Sequence, residues 1–305
     1  MSFKVERTPS LAGKVALVTG GNSGLGLASV RAFTSKGAHV LLAARNSSKA
    51  EQAIKAVLND NPSASVEFLP LDLASQKDIR AAADSVSRRF PKLDFLMNNA
   101  GLMAMPEMKT ADGFESQFGV NHLGHWSLTG LLMERILAAP SARVITVTSS
   151  AHHLIPNINF QDPHMRKNYS PWNAYSQSKL ANYFFARGLH NLFIEKRLGA
   201  MSFLAHPGLS HTNLQIETQR QGAAGAVGKA SEYLAAKVGM EPDVGALPQL
   251  RAALDPQARS GEFYAPRYFV AGVPVKRPLL RPFTTRDIAK LWELSERETG
   301  IAIKP

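Results

Sequence analysis

The stretch KVALVTGGNSGLGLA, Lys14 to Ala28, decides the fold of this 305-residue chain. An apolar run rich in β-branched residues leads into a glycine cluster, and helical spacing begins at Leu25, so the pattern predicts a strand, a tight turn and a helix. Gly20 suits the turn, Gly24 allows close backbone approach to an anion, and Gly26 allows close helix packing. We therefore predict a phosphate cradle at the helix N-terminus. A glycine-rich turn without a ligand is the alternative.

Apolar runs and helical runs alternate through the rest of the chain. Further strands are predicted at 38–44, 66–71, 93–97, 143–148, 201–205 and 262–264, and helices at 47–60, 75–90, 111–137, 173–192, 243–254 and 285–298. Strands that alternate with helices at this spacing are typical of a parallel sheet. Because no linker, repeat or charge block interrupts the pattern, we predict an α/β fold: one doubly wound, Rossmann-type parallel sheet with helices on both faces, in a single domain over residues 1–305.

The composition excludes several classes of site. The chain has no cysteine, so disulfides, thiolate nucleophiles and cysteine-ligated metals are excluded. The N-terminal residues lack the apolar core of a signal peptide, and no apolar run has the length of a membrane span. We expect a cytoplasmic protein. The net charge of +11 is mostly scattered, so we do not expect a nucleic-acid partner.

Positive charge is concentrated in one segment of the chain, residues 267–286. Between residues 267 and 286 the chain carries five cations and no acid, interleaved with proline, leucine and phenylalanine. The segment is either a solvated basic loop or a peripheral contact with a membrane surface.

The end of the second predicted strand indicates the cofactor. In a dinucleotide fold this position meets the adenosine ribose, where an acid would bind a free 2′-hydroxyl. The sequence has Arg45 followed by Asn46 instead. Because a guanidinium suits a 2′-phosphate, we favour NADP over NAD, with a capping or surface arginine as the alternative.

Two other strand ends carry candidate ligand contacts. Asp72-Leu73 follows the third strand, where Asp72 either holds the adenine amino group or caps the next helix. Asn99-Ala100-Gly101 follows the fourth. Ligands of such sheets bind where the strands end.

The stretch YSQSK places Tyr175 and Lys179 four residues apart on a predicted helix, and therefore on one face. A phenol titrates near pH 10, and a nearby ammonium favours its ionised form. The pair therefore predicts proton exchange between Tyr175 and an alcohol or carbonyl oxygen. Chance occurrence on a helix is the alternative.

The motifs TGGNSGLG, LDL, NNAG and YSQSK together resemble the short-chain dehydrogenase/reductase family from about Gly13 to Gly300. Residues 109–129, KTADGFESQFGVNHLGHWSLT, and SSAHH at 149–153 resemble its retinol dehydrogenase-like subgroup.

This resemblance implies further roles. It implies that Asn121 kinks its helix and holds a water that links Lys179 to solvent, and that Ser150 orients the substrate oxygen. Lys179 is expected to bind the nicotinamide ribose and to lower the pKa of Tyr175, and a mobile lid is expected at 209–240. The full set of expected cofactor contacts is Gly20, Asn22, Ser23, Gly24, Leu25, Gly26, Arg45, Asn46, Asp72, Leu73, Asn99, Ala100, Gly101, Tyr175, Lys179, Pro207, Gly208 and Thr212.

His122 and His125 lie three residues apart in the same helix. Because no third ligand completes a recognisable metal pattern, we interpret them as packing or surface residues and predict no metal site.

We expect an NADP-dependent oxidoreductase that transfers hydride to or from a carbonyl compound. An apolar substrate is suggested by Met103, Met105, Leu214 and Ile216, although such residues are often simply core. The alternatives are a cofactor-binding sensor without turnover and a protochlorophyllide reductase-like enzyme, which the absence of cysteine disfavours. The resemblance also allows an oligomer.

Overall fold

The structure, a computed structural model, describes residues 3–209, 239–280 and 285–305, and an eight-stranded sheet runs through them. Its strands are β1 (Val15–Thr19), β2 (His39–Ala44), β3 (Ser65–Pro70), β4 (Phe95–Asn98), β5 (Arg143–Val147), β6 (Met201–Ala205), β7 (Phe263–Pro266) and β8 (Pro274–Arg277). Their order in the sheet is β3-β2-β1-β4-β5-β6-β7-β8. Seven strands pair in parallel, which confirms the doubly wound α/β sheet.

The last strand was not predicted. β8 pairs with β7 in antiparallel register and lies within the basic run interpreted as a loop. Its sequence, PVKR, begins with proline and is only partly buried. An edge strand of this kind has no continuous apolar run, so the sequence pattern does not reveal it.

The predicted helices are present, with two interruptions. They are α1 (Gly24–Ser35), α2 (Ser47–Asp60), α3 (Gln76–Arg89), α4 (Ser116–Phe118), α5 (Gly124–Leu131), α6 (Met133–Leu137), α7 (Pro171–Glu195), α8 (Pro242–Gly245), α9 (Leu247–Leu254) and α10 (Thr285–Thr299). The helix expected at 111–137 is divided into α4, a π-helical turn at Gly119–Leu123, α5 and α6. The helix expected at 243–254 is divided into α8 and α9.

The core lies on both faces of the sheet. Successive residues of a strand point to opposite faces. Ala16 and Val18 therefore pack with α1, α2 and α9, whereas Leu17 packs with α3, α5, α6 and α7. A third cluster lies between α7, α10 and the strands β6 and β7. The prediction of helices on both faces is confirmed.

The sheet order reverses between β1 and β4, which lie side by side. In an open sheet, a crevice for ligands forms beyond the carboxyl ends of the strands at such a point. The lid expected at 209–240, together with Thr212, Leu214 and Ile216, falls almost entirely outside the described residues. Among the helices that the structure describes, none combines the length and apolarity needed to cross a membrane.

Candidate active site

A cavity of about 980 Å³ opens at the carboxyl edge of the sheet. Every described residue of the expected cofactor set lines it, and so does Ser150. Of the expected site residues, only Asn121 lies behind the cavity wall, and Thr212 is outside the described residues. The topology therefore brings the predicted residues together, while the ligand of each remains a prediction.

The glycine turn has the shape of an anion cradle. Gly20 and Gly24 adopt φ angles of 66° and 51°, which other residues rarely adopt. A Cβ on Gly26 would lie 2.1 Å from the carbonyl oxygen of Gly20, so the turn and α1 meet at backbone distance. Ser23 precedes α1 without a side-chain capping bond, which leaves helix N–H groups available at the cavity. These residues fit the pyrophosphate of a dinucleotide.

The end of β2 presents two cations to the cavity. Arg45 is exposed there and forms no ion pair with any described residue. Lys49, which the sequence analysis missed, lies in the first turn of α2 and also lines the cavity. Asn46 caps α2 by accepting a hydrogen bond from the Lys49 backbone N–H at 2.8 Å, which fixes this corner. Lys49 is a cation in the first turn of the helix that follows Arg45, and that position is the signal that could have identified it.

Asp72 does not cap α3. Ser75 does so, accepting from the Asp78 N–H, while Asp72 accepts from the Ala74 N–H at 2.9 Å and lines the cavity. The capping interpretation of Asp72 was therefore wrong. Its adenine contact stays a prediction.

Thr19 holds the loop after β4. Its hydroxyl oxygen accepts from the backbone N–H groups of Asn99 and Ala100 at 2.9 and 3.0 Å. The Asn99 side-chain amide donates to the Thr19 carbonyl at 2.8 Å, and Gln249 of α9 donates to the Asn99 side-chain oxygen at 3.1 Å. The loop beside the cavity is thereby fixed to the end of β1.

Tyr175 and Lys179 lie on one face of α7 at the cavity wall, each 5% exposed. Burial raises the pKa of Tyr175 to about 12, although the side chain of Ser149 partly opposes this rise. Burial lowers the pKa of Lys179 to about 8. Lys179 Nζ lies 5.8 Å from the Tyr175 ring centroid and donates to the Val147 carbonyl at 3.3 Å. In the protein alone the pKa of Tyr175 is therefore raised by burial, and the expected lowering by Lys179 is not seen.

The side chain of Ser149 hydrogen-bonds to Tyr175 and opposes the rise of its pKa. Ser149 has an extended backbone and caps a 3-10 turn at Ser150–His153 by accepting from the Ala151 N–H. Ser150 begins that turn and is exposed, although it still lines the cavity. Both serines line the cavity, and the role of Ser150 in orienting the substrate oxygen stays a prediction. The sequence does not show where the turn begins, and that decides which of two adjacent serines faces the phenol.

Asn121 lies in the π-helical turn and is fully buried. Its side-chain oxygen accepts from the Leu102 N–H at 2.7 Å, and its amide nitrogen donates to the Leu102 carbonyl and the Ser178 hydroxyl at 2.9 and 2.8 Å. Ser178 in turn donates to the Tyr175 carbonyl at 2.7 Å. Asn121 thus joins the loop after β4 to the turn of α7 that carries Tyr175, and its water remains a prediction.

The wall beside Tyr175 is mostly apolar. Trp172 meets the Tyr175 ring edge to face at 6.1 Å, and Met103 and Leu154 line the cavity nearby. Met105 does not line it and is buried instead, so that expectation was wrong. Trp172 precedes Tyr175 at i−3, a spacing that identifies it from sequence.

A turn after β7 closes the same wall. Phe269 and Val270 line the cavity, and the Val270 carbonyl accepts from the Leu209 N–H at 2.9 Å. A Cβ on Gly208, whose φ is 74°, would lie 2.6 Å from that carbonyl oxygen. No sequence signal joins these distant segments.

His122 and His125 are both fully buried, so the surface interpretation was wrong and the packing one is confirmed. Burial, with the repulsion that a protonated His125 would add, lowers the pKa of His122 to about 3. Burial also lowers the pKa of His125 to about 4. Within residues 3–209, 239–280 and 285–305, no group of three or more metal-ligating side chains occurs.

Comparison with known proteins agrees with this geometry. A family model described as short chain dehydrogenase matches residues 14–222. The chain is 37% identical to "Short-chain dehydrogenase/reductase drtF" of Aspergillus calidoustus over 95% of each chain. It is 44% identical to human "Retinol dehydrogenase 12" over 67% of this chain and 64% of that protein. A crystal structure of a "putative uncharacterized protein" from Mycobacterium paratuberculosis superposes with a TM-score of 0.80 at 35% identity, covering all of both chains.

Proposed function

The chain belongs to the short-chain dehydrogenase family, and from that premise we propose that it transfers hydride between NADP(H) and the carbonyl or alcohol group of an apolar small molecule. One observation carries the proposal: buried Tyr175 and Lys179 lie one helical turn apart in the wall of the cavity that also contains the glycine turn. The nicotinamide, when bound, supplies or accepts the hydride. The protein must then hold the substrate oxygen and move its proton.

Tyr175 is the proton donor in this proposal. Because burial raises its pKa to about 12, the phenol is protonated at neutral pH and ready to donate to a carbonyl oxygen that is being reduced. Ser149 lies beside the phenol and orients the same oxygen. Lys179 holds the nicotinamide ribose, and its positive charge stabilises the phenolate left after donation.

The preference for NADP rests on Arg45 and Lys49. Both line the adenosine end of the cavity, and neither forms an ion pair with a described residue, so both are available to a 2′-phosphate. No acid follows β2 to accept a hydrogen bond from a free ribose 2′-hydroxyl. These features support NADP over NAD.

The substrate end supports an apolar carbonyl compound. Met103, Leu154, Trp172 and Val270 line the cavity, and Ser149, Ser150 and Tyr175 are among its polar groups. A pocket with apolar walls and few polar groups favours a ligand with one polar end. The human relative is named for retinol, and the proposal for this chain extends to the wider class of apolar aldehydes and ketones.

The test is turnover. NADPH oxidation is followed by absorbance across a panel of apolar aldehydes and ketones, with NADH and polar carbonyl compounds as controls. We expect turnover with NADPH and apolar carbonyls. Tight NADPH binding without turnover on any substrate would instead favour a cofactor-binding sensor.

We also propose peripheral contact with an anionic membrane surface through residues 267–280. Tyr268 and Leu280 are 73% and 63% exposed, and Arg267, which precedes Tyr268 in the chain, is exposed too. Other cations of the segment are engaged: Lys276 pairs with Glu262 at 2.7 Å, and Arg277 lies over the Phe269 ring at 4.2 Å. Val270 of the same segment lines the cavity and is 42% exposed, so we propose that an apolar substrate enters beside it.

Sedimentation with phosphatidylserine vesicles tests this contact. We expect binding at low salt that weakens as salt is added and weakens further in Tyr268→Ser, with phosphatidylcholine vesicles as the control. Absence of binding at low salt would end the membrane proposal.

A further inference from the structure

His125 stands between the two parts of the site. Its Nδ1 lies 2.9 Å from the Asn121 carbonyl oxygen, and its Nε2 lies 2.9 Å from the Thr19 hydroxyl oxygen. The imidazole is fully buried, so both contacts are made away from solvent. Thr19 ends β1, and Asn121 lies in the π-helical turn at Gly119–Leu123. His125 therefore bonds to two different segments of the site.

These partners determine where the protons lie. A carbonyl oxygen only accepts, so Nδ1 carries the hydrogen that bonds to Asn121. Burial, with the charge of Lys179 adding to it, lowers the pKa of His125 to about 4, so the ring is neutral at physiological pH and Nε2 is bare. The Thr19 hydroxyl must therefore donate to Nε2.

This direction leaves the Thr19 oxygen free to accept. It receives the N–H groups of Asn99 and Ala100, so its hydroxyl uses one donor and two acceptor positions. The other acceptor near the Thr19 hydroxyl is the Met97 carbonyl at a longer 3.3 Å. Without His125, the hydroxyl would turn to Met97 and the N–H groups of the loop would lose their alignment.

We propose that His125 is a positioning residue: in its Nδ1–H tautomer it fixes the loop after β4 against β1 and the π-helical turn that carries Asn121. The chain of bonds runs from Thr19 through His125 to Asn121, and from there through Ser178 to the Tyr175 carbonyl. One imidazole thus joins the dinucleotide cradle to the proton donor. The consequence for dinucleotide binding rests on the proposed function, whereas the tautomer does not.

The variants His125→Asn and His125→Gln each remove one of the two hydrogen bonds of His125 and keep the other. The side-chain nitrogen of asparagine lies as many bonds from Cβ as Nδ1 of histidine, and the side-chain oxygen of glutamine as many as Nε2. His125→Asn keeps the donor to Asn121 and loses the acceptor for Thr19. We expect its NADPH dissociation constant to rise about tenfold, the size typical of one buried hydrogen bond, with kcat within about twofold of the wild type.

His125→Gln keeps the acceptor for Thr19 and loses the donor to Asn121. We expect the opposite result from His125→Asn: kcat should fall about tenfold, and NADPH affinity should stay within about twofold of the wild type. His122→Asn is the matched control, because His122 is equally buried but bonds to Ser295 of α10 at 2.8 Å. It should lose thermal stability without changing NADPH affinity or kcat.

The tautomer is measured directly on the unloaded wild-type protein. Nitrogen-15 NMR of the histidine rings, with His125→Asn to assign the signal, should show a neutral ring protonated at Nδ1. A ring protonated at Nε2 would overturn the proposal, and so would amide variants that match His122→Asn in affecting stability alone. Because the tautomer needs neither cofactor nor substrate, its failure is distinguishable from a failure of the proposed function.

Discussion

The two halves of the cavity are built in different ways. The cofactor half, here the part proposed to hold the phosphates and adenosine, consists of the glycine turn and the ends of β1 to β4, so it comes from one continuous stretch of α/β repeats. The substrate half combines the turn at Ser150–His153, the start of α7, residues 206–209 and the turn after β7. The shape of the cofactor half depends mainly on local backbone conformation, whereas the shape of the substrate half depends on contacts between segments that are distant in sequence. Substitutions should therefore separate cofactor binding from substrate turnover.

Lowering the pH should reduce the free energy of unfolding and so affect both halves of the cavity together. This is the largest effect that we expect. The pKa values of His122, His125 and His206 are lowered from 6.5 to about 3, 4 and 4 by burial. Between pH 6.5 and 4 the unfolded chain binds more protons than the folded one, so the free energy of unfolding falls as pH falls. Each histidine should contribute roughly 2 kcal/mol between pH 7 and 5.

Urea unfolding at pH 7, 6 and 5 measures this dependence. The His122→Asn variant should show a shallower slope, because it removes one of the three sites. A free energy of unfolding that stays constant over this range would show that the buried histidines become protonated in the folded protein.

Two adjacent serines, Ser149 and Ser150, test the substrate half. Ser149→Ala should reduce kcat about 100-fold with NADPH affinity unchanged, because it removes a donor to the substrate oxygen. Ser150→Ala should change kcat less than about threefold, since Ser150 is exposed at the start of its turn. Steady-state kinetics with NADPH titrations test both variants. The reverse order of effects would support Ser150 as the residue that orients the substrate oxygen.

Arg45 should show the opposite behaviour in the cofactor half. Arg45→Ala should weaken NADPH binding about tenfold and leave NADH binding nearly unchanged, because only NADPH carries the 2′-phosphate. Lys49→Ala should act in the same direction with a smaller effect. Fluorescence titrations with both dinucleotides measure the ratio. An equal loss for both would mean that Arg45 has a structural role.

The sequence predicts the cofactor half more completely than the substrate half, for a physical reason. Glycine spacing and strand ends are local features, so the cradle, Arg45 and Asn99 are all placed correctly at the cavity. The choice of Ser149 depends on where a 3-10 turn begins. Phe269 reaches the cavity through a turn in which its φ is 66°, a conformation that no phenylalanine signals in sequence.

The hydrogen-bond partners of His125 could not be predicted from the sequence either. The spacing of His122 and His125 indicates only that they occupy one region of a helix. The π-helical turn at Gly119–Leu123 and the packing of β1 decide which partner each ring meets. Helical periodicity alone does not contain that information.

The most direct test of the proposed reaction compares the wild type with Tyr175→Phe. This substitution removes only the phenolic oxygen from a buried ring, so NADPH affinity should stay within about twofold while kcat falls about 10³-fold. Single-turnover NADPH oxidation with an apolar aldehyde, alongside an NADPH binding titration, gives both values. Unchanged turnover in Tyr175→Phe would contradict the assignment of Tyr175 as the proton donor.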